Sequence, residues 1–482
     1  MKKSERKPKK ILIALLAAMI LLTAAGCTNG GGGPMRTCDP GTDEIVLKDR
    51  SEENRIMDMI MWYDNDNSPS TNDRPEKGWY YLNPDHPNTV TVKGLYRATD
   101  PLLGLYDQRK PATARQHLYW ISAVGCNAIC VDWTNYTCYR TADTAGWKKY
   151  TVGTYLNGQN LLKTASEATG FDVPKIYFAA RLFGENYTGL KDVLDDLYTL
   201  YESYPDAWYK FDDGTANASK PFIEIFIDWD LQPRLREGDP LYEDSRWNIR
   251  FTNGLMSQST DVDEYGNRAV PANIPVWLFV ENEEDNDAGK GMYRTFYSVG
   301  QDNKVEQMVA WASIHKGGLS WDKLNNVING LTTFERSLRN VRELSPKALI
   351  IARWNYPLCW LEEPQEGLSL YESTHIEPNT DFGFEVFDNV KKNLYSLNNW
   401  IASAPPAPEV TFQDADKLFL SLSGYPTEYR IGTASGEGEW VYYNINNGIP
   451  TAGLEAGTKY FLQTRNSFGE SETVEFVFNE AN

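Results

Sequence analysis

Acidic, aromatic and cationic side chains follow several strand-like apolar runs of the sequence. They are Trp62, Tyr63, Asp64, Asp132, Trp133, Arg181, Asp228, Trp229, Asp230, Glu281, Glu283, Trp354 and Asn355. Carboxyl groups hydrogen-bond sugar hydroxyls and transfer protons, while indole and phenol rings cover the apolar face of a pyranose. A cleft for carbohydrate needs this combination of groups. Any single member can equally be a salt-bridged or solvated loop residue, so the prediction depends on the set.

The apolar runs that precede these residues alternate with helical patterns. The candidate strands are Met57–Tyr63, Ala128–Trp133, Lys175–Ala180, Phe222–Trp229, Pro275–Val280, Met308–Ser313 and Leu349–Trp354. The helical patterns are Ala112–Val124, Tyr187–Ser203 and Thr333–Leu344. Repeated strand–helix units over residues 55–401 predict an α/β fold, a (β/α)8 TIM barrel with one strand still to be found. An open doubly wound sheet is the alternative. In a barrel, the working residues project from the carboxyl ends of the strands.

The sequence contains no recognisable cofactor or metal motif. It has neither a glycine fingerprint for a dinucleotide nor a phosphate loop. The four histidines show no zinc-type spacing with cysteine. The acidic run from Asp64 to Asn67 suggests calcium, but it lacks the glycine and distal glutamate of an EF-hand loop, which favours a solvated loop. We therefore predict no metal and no cofactor, and the formal net charge of −19 argues against nucleic acid as a partner.

The N-terminus has the features of an export signal with a lipid anchor. Residues 1–26 combine a basic start with an uncharged apolar core that is shorter than a membrane span. The segment ends in a motif that resembles a lipobox, which predicts cleavage before Cys27 and lipidation of that cysteine. An ordinary signal peptide with a chance cysteine is the alternative. Residues 27–54 would form a flexible tether, and the mature protein would lie in the cell envelope, outside the cytoplasm.

Cys126 and Cys130 lie in an apolar run in the middle of the chain. Same-face residues four apart on a strand are about 13 Å from each other, which is too far for a disulfide bond. We therefore predict that both are small buried hydrophobic residues.

A proline-rich linker at residues 402–408 separates the barrel from a C-terminal segment of different character. Residues 409–482 break into short alternating runs with glycine and asparagine turns, which predicts a small β-sandwich. Its last part resembles a fibronectin type III module with Tyr460 at the tyrosine corner. Such a module is usually a spacer or a sugar-binding accessory, and we predict a spacer.

Two blocks of the barrel segment resemble glycoside hydrolase families 71 and 99. The first runs from Pro101 to Trp133, and the second includes residues 351–355, 365–367 and 374–378. The resemblance implies a (β/α)8 barrel that cleaves α-linked polymers, mannan in family 99 and α-glucan in family 71. It also implies Glu366 as general acid and base.

The first glutamate of the family 99 pattern, which assists attack by the sugar's own 2-hydroxyl, has no direct counterpart here, because Tyr356 follows Asn355. The resemblance then gives its role to Glu363, Glu362 or Glu281. His375 and Glu377 are further candidates for substrate binding.

Two functions remain open at this point. The first is a surface-anchored glycoside hydrolase with paired carboxylates, favoured by the many acidic residues at strand ends. The second is a glycan-binding lipoprotein with a degenerate barrel site, favoured by Tyr356. In either case we expect polysaccharide as ligand, contact with the membrane through the lipid anchor, and other envelope glycan-uptake proteins as possible partners.

Overall fold

A barrel of parallel strands forms the larger part of the structure. The computed structural model describes residues 57–64, 95–97, 101–104, 106–136, 145–253, 274–278, 298–300, 304–312, 334–335, 338–352, 354–355, 358–360, 376–380, 382–414 and 416–479. The barrel strands are β1 Asp58–Tyr63, β2 Ala128–Asp132, β3 Lys175–Leu182, β4 Phe222–Ile227, β5 Asn248–Asn253, β6 Val276–Leu278, β7 Val305–Trp311 and β8 Ala348–Ala352. The helices are α1 Pro111–Val124, α2 Ala145–Glu167, α3 Tyr187–Ser203, α4 Gln232–Arg236, α5 Arg339–Leu344 and α6 Glu385–Leu397. The strands pair in the order β6-β5-β4-β3-β2-β1-β8-β7, which confirms the predicted barrel.

The two ends of this sheet meet through a side chain. Gln307 on β7 accepts a hydrogen bond from the Leu278 backbone N–H of β6 at 2.8 Å and donates one to the Leu278 carbonyl at 3.3 Å. The same edge of β7 also pairs with a short antiparallel strand, Ser298–Val299. The sheet is nearly closed, and the open doubly wound alternative is excluded.

The strand that the sequence analysis missed is β5. Its sequence, Asn-Ile-Arg-Phe-Thr-Asn, places polar residues where a barrel interior is usually apolar. Arg250 is only 4% exposed and bonds Glu306 at 2.5 Å and Asp213 at 3.0 Å. The charge of Arg250 is therefore balanced by two carboxylates, and Glu306 also accepts from the Trp277 indole at 2.6 Å. The hydropathy pattern does not reveal this strand, because the side chains that it buries inside the barrel are polar or charged.

The barrel has two apolar layers. One lies inside the sheet and includes Ile60, Cys130 and Tyr177, and the other lies between the sheet and the helices and includes Cys126. Cys126 and Cys130 are both buried and free, as predicted, and lie on opposite sides of the sheet.

Helix α1 begins with proline at its first position, where the missing N–H costs no hydrogen bond. It ends at Gly125, whose φ of 107° favours glycine. A Cβ atom there would lie 2.5 Å from the Trp400 ring.

Two antiparallel sheets follow the barrel. One contains β9 Val410–Gln413, β10 Lys417–Leu420 and β13 Ile449–Pro450, and the other contains β11 Glu428–Gly432, β12 Val441–Tyr442, β14 Lys459–Asn466, β15 Gly469–Glu470 and β16 Val474–Val477. The Tyr460 hydroxyl accepts from the Glu455 backbone N–H at 2.9 Å. The fibronectin type III assignment itself stays a prediction.

The C-terminal sheets pack against helix α1 of the barrel. The Tyr119 hydroxyl donates to the Pro426 carbonyl at 2.8 Å, and Gln116 accepts from the Ile445 N–H at 2.9 Å. The module is therefore docked on the barrel through buried hydrogen bonds.

Within the described ranges, no helix is long and apolar enough to cross a membrane. The predicted signal, Cys27 and the tether lie outside the described residues.

Candidate active site at the carboxyl ends of the barrel strands

Two aspartates lie side by side at the ends of neighbouring strands. Strands β1 and β2 are parallel, with Trp62 opposite Cys130 and Tyr63 opposite Val131, so the next pair in this register is Asp64 and Asp132. Trp62 and Cys130 face the barrel interior, and side chains alternate along a strand, which turns both aspartates inward. Adjacent strands are about 4.8 Å apart. Both carboxylates help to raise the pKa of the Cys130 thiol, although burial and Glu224 are larger causes.

The backbone of Asp64 is held by a chain of amide side chains. Asn355 accepts from the Asp64 N–H at 3.0 Å and donates to the Asp64 carbonyl at 3.2 Å. Gln108 donates to the same carbonyl at 3.1 Å, and Asn157 in turn donates to Gln108 at 3.2 Å. Asn355 is fully buried, so its amide has no water to compete for these bonds. The network fixes the direction in which Asp64 leaves the strand.

A second buried network links β1, α1 and the segment after β8. The Tyr63 hydroxyl lies 2.8 Å from His117 Nδ1, and His117 Nε2 lies 3.0 Å from Glu377 Oε1. Tyr106 donates to Glu377 Oε2 at 2.8 Å. Burial, followed by the charge of Glu377, raises the pKa of both tyrosines well above the usual value. Both phenols are therefore neutral donors, and a His117 ring with its proton on Nε2 satisfies every partner.

An ion pair stands at the ends of strands β3 and β4. Arg181 donates to Asp228 Oδ1 through Nε at 2.9 Å and through Nη2 at 2.5 Å, and Asp228 Oδ2 accepts from the Gly184 N–H at 2.9 Å. The guanidinium lies 5.0 Å from the centre of the Phe183 ring and 5.3 Å from that of Phe226. About a fifth of each charged side chain is exposed, so the pair faces the barrel mouth.

Glu224 lies deeper in the barrel, on β4. It is fully buried and accepts from the Tyr177 hydroxyl at 2.6 Å. Burial raises the pKa of its carboxyl to about 8, and the bond from Tyr177 acts in the opposite direction. Glu224 is therefore a protonated acid at neutral pH.

The structure separates the sequence-predicted site residues into groups. Asp132, Arg181 and Asp228 lie at the barrel mouth. Asp230 is exposed on a short 3-10 helix that begins at Trp229, so the strand ends at Ile227 rather than at the predicted Trp229.

The buried candidates are Trp62, Tyr63, Trp133, Trp354, Asn355 and Glu377. Trp62 fills the barrel interior, whereas Trp133 and Trp354 pack between the sheet and the helices. The Trp133 ring stacks on Tyr136 at 4.5 Å and the residue is only 1% exposed, so neither face of the ring is open to a sugar. The remaining candidates, Glu281, Glu283, Glu363, Glu366 and His375, lie outside the described residues.

Sequence reasoning missed the polar residues that organise the site. Gln108 and Tyr106 precede α1 in the chain, and His117 lies on α1. His117 is fully buried and joins Tyr63, at the end of β1, to Glu377, in the segment after β8. A search limited to the residues that follow strands cannot select a residue on a helix. Among the residues that the structure describes, no group of three or more histidine, cysteine or acidic side chains is arranged to hold a metal ion.

The solved structures that are similar to the chain include two of one enzyme and one of a glycoside hydrolase-like protein. Glycoside hydrolase family 99 endo-α-mannosidase from Bacteroides thetaiotaomicron is 12% identical, with a TM-score of 0.44, over 71% of this chain and 97% of that one. The same enzyme in complex with bis-tris-propane is 13% identical, with a TM-score of 0.40 and the same coverage. A glycoside hydrolase-like protein is 14% identical, with a TM-score of 0.37, over 77% of this chain and 98% of that one. Identities and TM-scores as low as these do not indicate a reaction for this chain. No family model matches the sequence, and no curated protein matches it either.

Proposed function

We propose that this protein is a lipid-anchored glycoside hydrolase of the cell envelope that cleaves an α-linked polysaccharide, mannan or glucan. The observation that carries the proposal is the pair of inward aspartates, Asp64 and Asp132, at the carboxyl ends of neighbouring strands. Glycosidases place two carboxyl groups across the scissile bond, about 5 to 5.5 Å apart in retaining enzymes and about 6.5 to 9.5 Å apart in inverting ones. Side chains on adjacent strands, about 4.8 Å apart, can reach the first of these separations.

In this proposal Glu366 protonates the departing glycosidic oxygen. A second carboxyl group then attacks the anomeric carbon or activates water. The strand geometry supports Asp132 as this second carboxyl group. The family resemblance instead supports Glu363, Glu362 or Glu281 as the group that assists attack by the sugar's own 2-hydroxyl. Within the pair, Asp132 is more exposed than Asp64, so a sugar can reach the Asp132 carboxyl group more easily.

The test is incubation of the purified mature protein with α-mannans and α-glucans, followed by measurement of new reducing ends. We expect Asp132→Asn to lower turnover by about 10²-fold or more, the usual contribution of a positioned acid or base. Asp206→Asn, at an exposed aspartate in the turn after α3, is the matched control and should leave turnover unchanged. Full activity of Asp132→Asn would exclude Asp132 from the reaction.

The second candidate is a glycan-binding protein without turnover. It is favoured because the described carboxylates at the barrel mouth already accept hydrogen bonds from other groups of the protein. Asp132 accepts from the Thr134 N–H at 2.8 Å and from its hydroxyl at 2.7 Å, and Asp228 is paired with Arg181. Retardation of the protein in a glycan-containing gel, with no reducing ends released from any substrate, would establish this function instead.

The ends of the chain complete the proposal. Lipidation of Cys27 would hold the barrel at the membrane, next to other proteins of glycan uptake. The C-terminal module would act as a fibronectin type III-like spacer. Its docking on α1 through Tyr119 and Gln116 supports a fixed orientation of spacer and barrel.

A further inference from the structure

Phe183 is an exposed aromatic ring directly after barrel strand β3. The side chain is 40% exposed. Isolated exposed hydrophobic residues are common on protein surfaces, so exposure alone carries no meaning. The other large hydrophobic side chains that are exposed in the described ranges lie on α2, in the linker region or on the C-terminal sheets, whereas Phe183 stands at the barrel mouth.

The ring is held in place on one side. The Arg181 guanidinium lies 5.0 Å from the ring centre, within the range of a cation–π contact. Because Arg181 is itself fixed by two hydrogen bonds to Asp228, the ring rests on a rigid support. The exposed part of Phe183 therefore belongs to a surface that is already ordered before any ligand arrives.

The turn that carries Phe183 is fixed as well. The Gly184 N–H donates to Asp228 Oδ2 at 2.9 Å, and the Phe183 carbonyl accepts from the Asn186 N–H at 3.1 Å. Asn186 in turn caps helix α3 through a bond to the Gly189 N–H at 2.9 Å. Little conformational entropy remains to be lost when a ligand binds, which favours recognition.

We propose that Phe183, Arg181 and Asp228 form a subsite for one neutral pyranose residue of the glycan. The inference rests on the proposed function and adds a binding position to it. The apolar face of the sugar ring would stack on the exposed face of Phe183. Neighbouring hydroxyls of the sugar would accept a hydrogen bond from Arg181 Nη1 and donate one to Asp228. The bonds from Arg181 to Asp228 use Nε and Nη2, and Nη1 takes no part in them. Since the two charges offset each other, the subsite selects a neutral hexose over an acidic sugar.

The experiment measures binding of neutral manno- and gluco-oligosaccharides to the full mature protein by calorimetry. Phe183→Ala should weaken binding about 3- to 10-fold, the range expected for loss of one aromatic contact. Phe183→Trp should retain or strengthen it. The matched control is Phe412→Ala, because Phe412 is 59% exposed on the C-terminal sheets and should not affect binding. The melting temperature should change little in any variant, since both rings are partly exposed.

The outcomes separate the subsite from the proposed function. Wild-type binding or cleavage that is unaffected by Phe183→Ala overturns the subsite and leaves the function standing. An equal loss in Phe412→Ala also overturns it, because the effect would then be unrelated to position. A wild-type protein that neither binds nor cleaves any glycan overturns both.

Discussion

Replacement of Glu224 by glutamine should abolish a pH dependence of stability that originates inside the barrel. Glu224 is fully buried, and its Oε2 has no hydrogen-bond partner among the described residues. Its pKa is raised to about 8 in the folded protein by burial. In the unfolded chain a glutamate titrates near about 4.3. Between these two values the folded state holds a proton that the unfolded state has lost.

The sign and size of the effect follow from this difference. Where the folded state binds the extra proton, stability falls as pH rises, by up to about 1.4 kcal/mol per pH unit. The contribution is fully present below the unfolded pKa and is lost as pH rises through the folded pKa. Between pH 4.5 and 8 the loss is on the order of 4 kcal/mol. Glutamine keeps the acceptor for the Tyr177 hydroxyl and has no charge to bury at high pH.

The assay is urea unfolding of the mature protein from pH 5 to pH 9. We expect wild type and Glu224→Gln to be similar in stability at pH 5 and to diverge steadily above it, with the variant more stable at pH 9. The control is Glu409→Gln at an exposed position, which should follow wild type at every pH. Parallel curves for wild type and Glu224→Gln would refute the reasoning, because they would show that folding does not raise the pKa of the Glu224 carboxyl.

Three further predictions concern other parts of the chain. Burial lowers the pKa of Lys391 to about 8, so Lys391→Met should raise the free energy of unfolding at pH 7 by up to about 3 kcal/mol. Urea unfolding should show that gain shrinking as pH rises from 8 towards 10, and a gain independent of pH would contradict the cause. Glu366→Gln should lower turnover on polysaccharide by about 10²- to 10⁴-fold while preserving binding, and substrates with activated leaving groups should lose much less; equal losses on both would make Glu366 a binding residue. Cys27→Ser should yield protein that no longer partitions with membranes, as fractionation and metabolic acyl labelling can measure, and a variant that stays with the lipid would refute the lipobox.

The alternation of strands and helices was readable from the sequence because each element has one continuous apolar face. Helix α3 was predicted with the observed limits, Tyr187–Ser203, since its hydrophobic period is regular and Asn186 caps its first turn. Strand β5 was not predicted, because Arg250 looks like a surface residue until Glu306, far along the chain, is brought beside it. Hydropathy describes one segment at a time, whereas the cost of burying a charge depends on its partner.

The sequence alone also indicated the acidic and aromatic character of the strand ends, on which the proposal of a glycan ligand is based. Tertiary structure decided which of those residues can meet a ligand. It buried the Trp133 and Trp354 rings in the outer core, and it left Phe183 exposed on the support of Arg181. It also placed Asp64 beside Asp132 through the register of two strands whose aspartates are far apart in sequence. Residue type is a local property of the chain, but exposure and the distance between two carboxyl groups exist only after the barrel has closed.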